Sequence, residues 1–238
     1  LDFDTLKQLG ECPYDQGGYF IIDGKEKVII SQERIATNQL FISDPSDEKT
    51  DLLEGMIRST ALSNALFPKT VNFWVEKQVV STKPLILSEK TFYIRMKIMN
   101  IKYPSERIPI FVIFRALGIE SDKDILKYIA LEDEYMYDLL RPSIIDGSAK
   151  YTQREVLEYL SAYVKYKNIE YVQYILVNDL FPNIGDNFRQ KALYLGYLVN
   201  RMIKTTIGEI KQNKRDNYMF KRVDTTGILI GNIFRDFY

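Results

Sequence analysis

The chain has 238 residues, with 32 basic and 32 acidic side chains, one cysteine and no histidine. Without an imidazole no Ser-His-Asp or Cys-His site can be assembled, and Cys12 alone gives neither an internal disulfide nor a cysteine-based zinc site. Hydrophobic residues at 46% and charged residues at 27% are ordinary for a globular chain, and a formal charge of zero excludes a uniformly basic surface but not a local basic patch.

The first residues, Leu1-Asp2-Phe3-Asp4, lack the basic and apolar pattern of a signal peptide. A chain that opens this way, without an initiator methionine, reads as a mature product or a piece of something longer. No run of about 18 apolar residues exists, so no membrane span is expected. Cys12, in Glu11-Cys12-Pro13, reads as a partly buried structural thiol, because its neighbours Glu11 and Asp15 do not favour a thiolate.

Residues 1–50 read as strands and turns. Tyr19-Phe20-Ile21-Ile22 is an apolar run, Asp23-Gly24 a tight hairpin turn and Lys27-Val28-Ile29-Ile30 the returning strand. Asp44-Pro45-Ser46-Asp47-Glu48-Lys49 breaks both periodicities and is taken as a loop at a domain boundary. Thr70 to Val75, Gln78-Val79-Val80 and Phe92 to Ile98 carry strand signals. The last alternates, with Phe92, Ile94, Met96 and Ile98 on one face. Ile110-Phe111-Val112-Ile113-Phe114 is too short and too apolar to assign by period.

Helices follow from about residue 120. Ser121 caps one, with Asp124 three positions on; Thr152 and Glu155 form a capping box; Asn168 caps a helix whose Val172, Ile175, Leu176 and Leu180 face inward and which Pro182 stops. A long helix is predicted over about 187–210, bringing Leu193, Gly196, Tyr197, Asn200 and Arg201 near one another. Strands first and helices second, without βαβ alternation, make an α+β chain.

Three features bear on chemistry. The acidic group Glu132-Asp133-Glu134, with Asp124 and Asp138, reads as a solvated surface, because consecutive helical residues diverge by about 100° and only Glu134 and Asp138 share a face. The glycines form neither a Walker loop nor a dinucleotide fingerprint. Lys211, Lys214, Arg215, Lys221 and Arg222, interleaved with Tyr218 and Phe220 and opposed there only by Asp216, form a basic run. Such a run either meets phosphates and stacks bases or is a solvated loop behind a helix, and composition by itself favours the loop.

Glu11 to Arg34, Ile108 to Gly118, Leu195 to Arg201 and Arg215 to Gly227, four segments in this order, together resemble one family, the second-largest (β-type) subunits of multisubunit DNA-directed RNA polymerases. Glu11 to Arg34, through Gly17-Gly18-Tyr19-Phe20-Ile21-Ile22-Asp23-Gly24 and Gln32-Glu33-Arg34, is similar to the family's hairpin. Ile108-Pro109 through Phe114-Arg115-Ala116-Leu117-Gly118 resembles its I-P-x-x-x-x-F-R-A-L-G. Leu195-Gly196-Tyr197 through Asn200-Arg201 resembles its L-G-Y-x-x-N-R helix, and Arg215-Asp216 through Lys221-Arg222-Val223-Asp224 and Gly227 its D-R-D-x-x-x-x-K-R-x-D-x-x-G segment. Asn217 stands where many members carry histidine, Lys214 replaces an acidic residue, and Met219 and Phe220 replace small or polar ones, so the shape of that loop is not carried over.

The resemblance implies a window of such a subunit. Residues 1–50 would end the protrusion with a β-hairpin, 51–214 would form the lobe, and 215–238 would return to the protrusion. It implies a part in DNA-templated RNA synthesis as cleft wall and docking surface, with no catalytic residue and no metal site here and with the isolated piece inactive. Magnesium would sit in the largest subunit and zinc elsewhere in the complex. Partners would be the other subunits, chiefly the largest, with DNA, the DNA–RNA hybrid and initiation factors, and no membrane. Lys221 and Arg222, then Lys211, Lys214 and Arg215, would face nucleic acid or brace the loops that do. Arg222 with Asp224 is the alternative, an internal ion pair. Glu26, Arg34, Asp224 and Gly227 would hold the junction, and Arg58 and Arg115 would be structural. Two other readings stand beside this one: a self-standing interaction module, and an independent carboxylate enzyme, for which no paired acids are placed. Heavy use of Ile, Lys, Asn and Tyr points to an AT-rich genome, that of a large DNA virus or a protist. Nucleus, viral factory, virion and cytoplasm all stay open.

Overall fold

The structure is a computed structural model, and it describes residues 2–46, 49–61, 68–77, 91–131 and 133–238, without the side chain of residue 236. The strand signal at Gln78-Val79-Val80, residues 47–48 of the expected loop and Glu132 of the acidic group lie outside the described residues. The chain forms two compact units, one of Leu1–Arg34 with Lys221–Tyr238 and one of Ile35–Phe220. In chain order the elements are α1 (Phe3–Gln8), β1 (Phe20–Ile22), β2 (Lys25–Lys27), β3 (Gln32–Ile35), β4 (Leu40–Ser43), β5 (Asp51–Ser59), β6 (Lys69–Lys77), β7 (Phe92–Lys97) and β8 (Ile108–Pro109). Then come α2 (Ile110–Ala116), α3 (Asp122–Ala130), α4 (Glu134–Gly147), α5 (Gln153–Ser161), α6 (Ile169–Asn178), α7 (Phe188–Thr206), β9 (Lys221–Asp224) and α8 (Thr226–Phe237). Strands dominate the first half and helices the second, the expected α+β order.

In the smaller unit β1 and β2 form the hairpin, with Phe20 opposite Lys27 and Ile22 opposite Lys25. Asp23 and Gly24 both take positive φ, 53° and 71°, which a two-residue hairpin turn requires for its twist to match the strands. The returning strand covers Lys25–Lys27, and Val28 and Ile30 stay outside it and exposed. Strand β3 pairs with β9, and the Thr226 hydroxyl at the start of α8 donates to the Ile29 carbonyl at 2.8 Å. Cys12 is exposed, which corrects the expected partly buried thiol. It lies between α1 and β1, outside any element that could cover it.

The larger unit is built on an antiparallel sheet in the order β4-β5-β6-β7-β8. Alternation sorts its side chains as the sequence demands. Leu53 and Ile57, Val71, Phe73 and Val75, and Phe92, Ile94 and Met96 are all buried on one face. Helix α7 packs against β4 and β5, and α4 against β7 and β8. At Gly55 an added Cβ would meet the Met202 sulfur at 2.6 Å, so glycine lets α7 approach the sheet. Other positions on these strands carry charges. Arg107 grips Asp51 with two hydrogen bonds of 2.8 and 3.0 Å and reaches Glu76 at 2.8 Å. Arg95 in turn reaches Glu76 at 3.1 Å and grips Asp146 of α4 at 2.9 and 3.1 Å. The Arg107 pKa rises through its bond to Asp51, against burial and with help from Glu76.

The ambiguous run Ile110–Phe114 is a helix, and all seven residues of α2 are buried. It packs against α3, α4, α5, β7 and β8, so no polar face exists to reveal its period. Arg115 is fully buried within it and donates to the carbonyls of Gly147 and Lys150 and to Asp122, confirming a structural arginine. Arg58 is exposed and supports no such network.

The capping box forms as expected, with the Glu155 amide donating to the Thr152 hydroxyl at 3.3 Å and the Thr152 amide to the Glu155 carboxylate at 3.4 Å. Asn168 caps α6. Ser121 precedes α3 but makes no side-chain cap bond. Helix α6 ends at Asn178, before Leu180 and Pro182. Its last carbonyls turn to a buried ammonium instead, since Lys191 Nζ donates to the carbonyls of Leu176, Val177 and Leu180 at 2.5 to 2.8 Å. Burial pushes the Lys191 pKa down to about 8, against the pull of Asp186 and Asp179.

Helix α7 stops at Thr206, four residues before the expected 210. Its Gly196 lies directly against the Tyr128 carbonyl of α3, where any Cβ would collide with backbone. Gly196→Ala is expected to destabilise the unit by about 1–3 kcal/mol through overpacking. Urea unfolding monitored by circular dichroism measures it, and an unchanged midpoint would contradict the close approach.

Candidate nucleic-acid interface

The basic run is divided between the two units. Lys211, Lys214 and Arg215 belong to the larger, and Lys221 and Arg222 to the smaller.

In the larger unit the run sits on a loop fixed to the sheet edge by one side chain. Strand β4 is an edge strand, and its free backbone groups need partners. Asn213 supplies them, accepting from the Ile42 amide at 2.8 Å and donating to the Leu40 carbonyl at 2.5 Å. A neutral amide can do both at once because it carries a donor and an acceptor. Gln212 adds a bond to Asp44 at 2.9 Å.

Lys211, Lys214 and Arg215, on either side of Asn213, are exposed and in no ion pair with a described residue. Lys214 and Arg215 line a cavity of about 480 Å³ with Phe41 and Met56, and Asp44 and Glu54 lie in the same wall. The field there is mixed in sign, and the cations have an exposed side free for an anion.

Of the two interleaved aromatics, only Tyr218 is available. It is 85% exposed, whereas Phe220 packs edge-on against Phe41 at 5.4 Å between centroids. Asn217 shapes this turn, since its side chain accepts from the Met219 amide at 3.1 Å and its carbonyl from the Phe220 amide at 2.9 Å. The Phe220 carbonyl then takes the Ala36 amide at 2.8 Å.

In the smaller unit the remaining cations are tied into the β3–β9 pair. Lys221, 19% exposed, reaches Glu33 at 2.9 Å. Asp224 takes the Arg34 Nε at 3.0 Å, so the carboxylate considered as a partner for Arg222 is held by Arg34. Arg222 is exposed and donates to the Lys221 carbonyl at 2.8 Å.

Of the four residues assigned to the junction, Arg34 and Asp224 are brought together. Glu26 lies on β2 opposite Ile21, and Gly227 is in the first turn of α8, where an added Cβ would meet nothing within 4 Å. Asn213 is the positioning residue that sequence reasoning passed over. An uncharged residue between two basic ones carries no signal until the strand edge it serves is known.

Among the described residues no three His, Cys, Asp or Glu side chains are placed to hold a metal ion. The acidic group is used otherwise. Asp133 caps α4 by accepting from the Tyr135 amide at 3.0 Å, and Asp138 pairs with Arg141 at 2.7 Å.

A family model described as RNA polymerase Rpb2, domain 2, matches residues 82–224. DNA-directed RNA polymerase II subunit 2 of Arabidopsis thaliana is 36% identical over 241 residues, covering 97% of this chain and 20% of that protein. The RPB2 subunit of Encephalitozoon cuniculi is 34% identical over 98% of this chain and 20% of its own length. Subunit Rpo2 of Saccharolobus shibatae is 29% identical over 98% of this chain and 20% of its own length. The chain thus spans about a fifth of the length of the curated relatives it matches. The matched span runs from the sheet through the helices and the basic loop to β9, and the chain belongs to the family of second-largest DNA-directed RNA polymerase subunits, in the part that includes their domain 2.

Proposed function

We propose that this chain serves DNA-templated RNA synthesis as the lobe-bearing part of a polymerase second subunit, forming part of the DNA cleft wall and a docking surface for partners. The observation that carries the cleft-wall reading is the loop pinned by Asn213, which presents Lys211, Lys214 and Arg215 outside any described ion pair. Fixed cations on a wall attract phosphate without any net positive charge on the chain, because screening confines each charge to about 10 Å.

The partners on this reading are the other polymerase subunits, chiefly the largest, with DNA, the DNA–RNA hybrid and initiation factors. Magnesium belongs to the largest subunit and zinc to other parts of the complex. This chain supplies binding and orientation, while bond chemistry occurs elsewhere in the enzyme. The setting is intracellular, where template DNA is. Among the described residues no helix is long and apolar enough to cross a membrane.

Two experiments on polymerase assembled with the full-length subunit separate wall from brace. Lys214→Glu with Arg215→Glu should weaken duplex DNA retention and lower the slope of log affinity against log salt by roughly 2, close to the loss of two phosphate contacts. An unchanged slope would remove the loop from the wall. Lys221→Glu should leave DNA retention unchanged and cost about 0.2–1 kcal/mol of stability through the lost Glu33 pair. Adding Glu33→Lys should restore the melting temperature. DNA loss in Lys221→Glu, unrepaired by the swap, would show that Lys221 serves nucleic acid instead.

A further inference from the structure

The outer face of α7 has chemistry that the fold does not use. The helix is 19 residues long and contains no carboxylate. Its inner line, with Ala192, Leu195, Val199 and Met202, is buried. Arg189, Leu193, Tyr197, Arg201 and Lys204 follow one another at helical spacing along the other side. Leu193 and Tyr197 are each 54% exposed. The Tyr197 ring stacks on Tyr194 at 6.4 Å, and Tyr194 is fixed by the buried Phe181, edge-on at 5.2 Å. The Arg201 guanidinium lies 6.0 Å from the Tyr197 ring and donates to its hydroxyl at 3.5 Å. Arg189, Arg201 and Lys204 make no ion pair with a described residue. Within Leu195 to Arg201 the fold uses Leu195 in the core, Gly196 against Tyr128, and Asn200, whose amide donates to the Ile129 carbonyl at 2.8 Å. Tyr197 and Arg201 remain on the surface.

We infer that this face of α7 docks an acidic segment of a partner protein, with an apolar side chain of that segment seated on Leu193 and Tyr197 and its carboxylates on Arg189, Arg201 and Lys204. The inference rests on reading this region as a partner-docking part of the polymerase. Charge complementarity sets the sign of the partner, because three cations on this face of a helix without a carboxylate leave the partner to supply the anions. The apolar centre sets its class. Leu193 gains nothing from a phosphate backbone, and the Tyr197 ring, already engaged by Tyr194 and Arg201, is not a free platform for a base. Tyrosine and arginine anchors around an apolar residue are instead the composition of protein interface centres. Rigid, pre-stacked rings also cost little entropy on docking.

The test uses polymerase assembled with the full-length subunit, and two fluorescent probes read by anisotropy. One is a 12-residue peptide alternating glutamate with leucine or phenylalanine, and the other is a 20-base-pair DNA duplex. Arg189→Glu with Arg201→Glu should weaken the peptide about tenfold or more, and Leu193→Ser should weaken it by a smaller but measurable factor. Both should leave the duplex unchanged. Arg201→Lys, which keeps the charge, should retain most of the peptide affinity. Lys214→Glu with Arg215→Glu should weaken the duplex and not the peptide, so a failure there touches the cleft-wall reading and leaves the α7 inference standing. Peptide binding indifferent to all α7 variants would overturn the inference. So would duplex binding that falls with Arg189→Glu and Arg201→Glu, which would make this face a nucleic-acid surface.

Discussion

Much of the larger unit follows from one constraint: the sheet ends inside the protein, and its edges must still be hydrogen-bonded. At β4 the partner is the Asn213 side chain, which pairs with the Ile42 amide and the Leu40 carbonyl. At the other end β8 covers only two residues, leaving part of β7 open. There the buried Ser143 of α4 accepts from the Ile94 amide at 3.0 Å and donates to the Phe92 carbonyl at 3.3 Å. An unpaired buried amide or carbonyl costs about 1–3 kcal/mol, so both side chains are fixed in place. The first fixes the basic loop on the sheet, and the second fixes α4.

The helices are tied in the same way around α2. Its seven buried residues give it contacts on every side, and Arg115 joins the end of α4 to the start of α3. A buried guanidinium needs hydrogen bonds and a counter-charge, and here two carbonyls and a carboxylate take its two terminal nitrogens while Nε is left without a partner. The Arg107, Glu76 and Arg95 chain runs from Asp51 to Asp146, linking β5 to α4 through charges rather than apolar packing. The cations on the Asn213 loop are not part of these internal networks.

Lys221 and Arg34 are matched by Glu33 and Asp224 within the β3–β9 pair, while Lys211, Lys214 and Arg215 are left unmatched. The run that looks continuous in sequence is therefore divided in the fold, with Lys221 paired and Lys211, Lys214 and Arg215 outside any described ion pair. Position in the fold, and not proximity in the chain, decides which charge is paired.

The sequence by itself determined the strand alternation from Phe92 to Lys97, the Asp23-Gly24 hairpin, the capping box at Thr152 and Glu155, and the family, through four ordered segments. These are local signals: a two-residue period, a positive-φ turn, a cap three residues long and a run of matching residues. Only the tertiary structure decided that Ile110–Phe114 is helical, because a segment buried on all sides has no polar face to show its period. Only it showed that Asn213 closes a strand 171 residues away, that Lys221 belongs to Glu33, and that Tyr197 and Arg201 point outward while Gly196 between Leu195 and Tyr197 faces Tyr128. Each of these depends on which partner the folded chain brings within a few ångströms, and sequence separation carries no information about that distance.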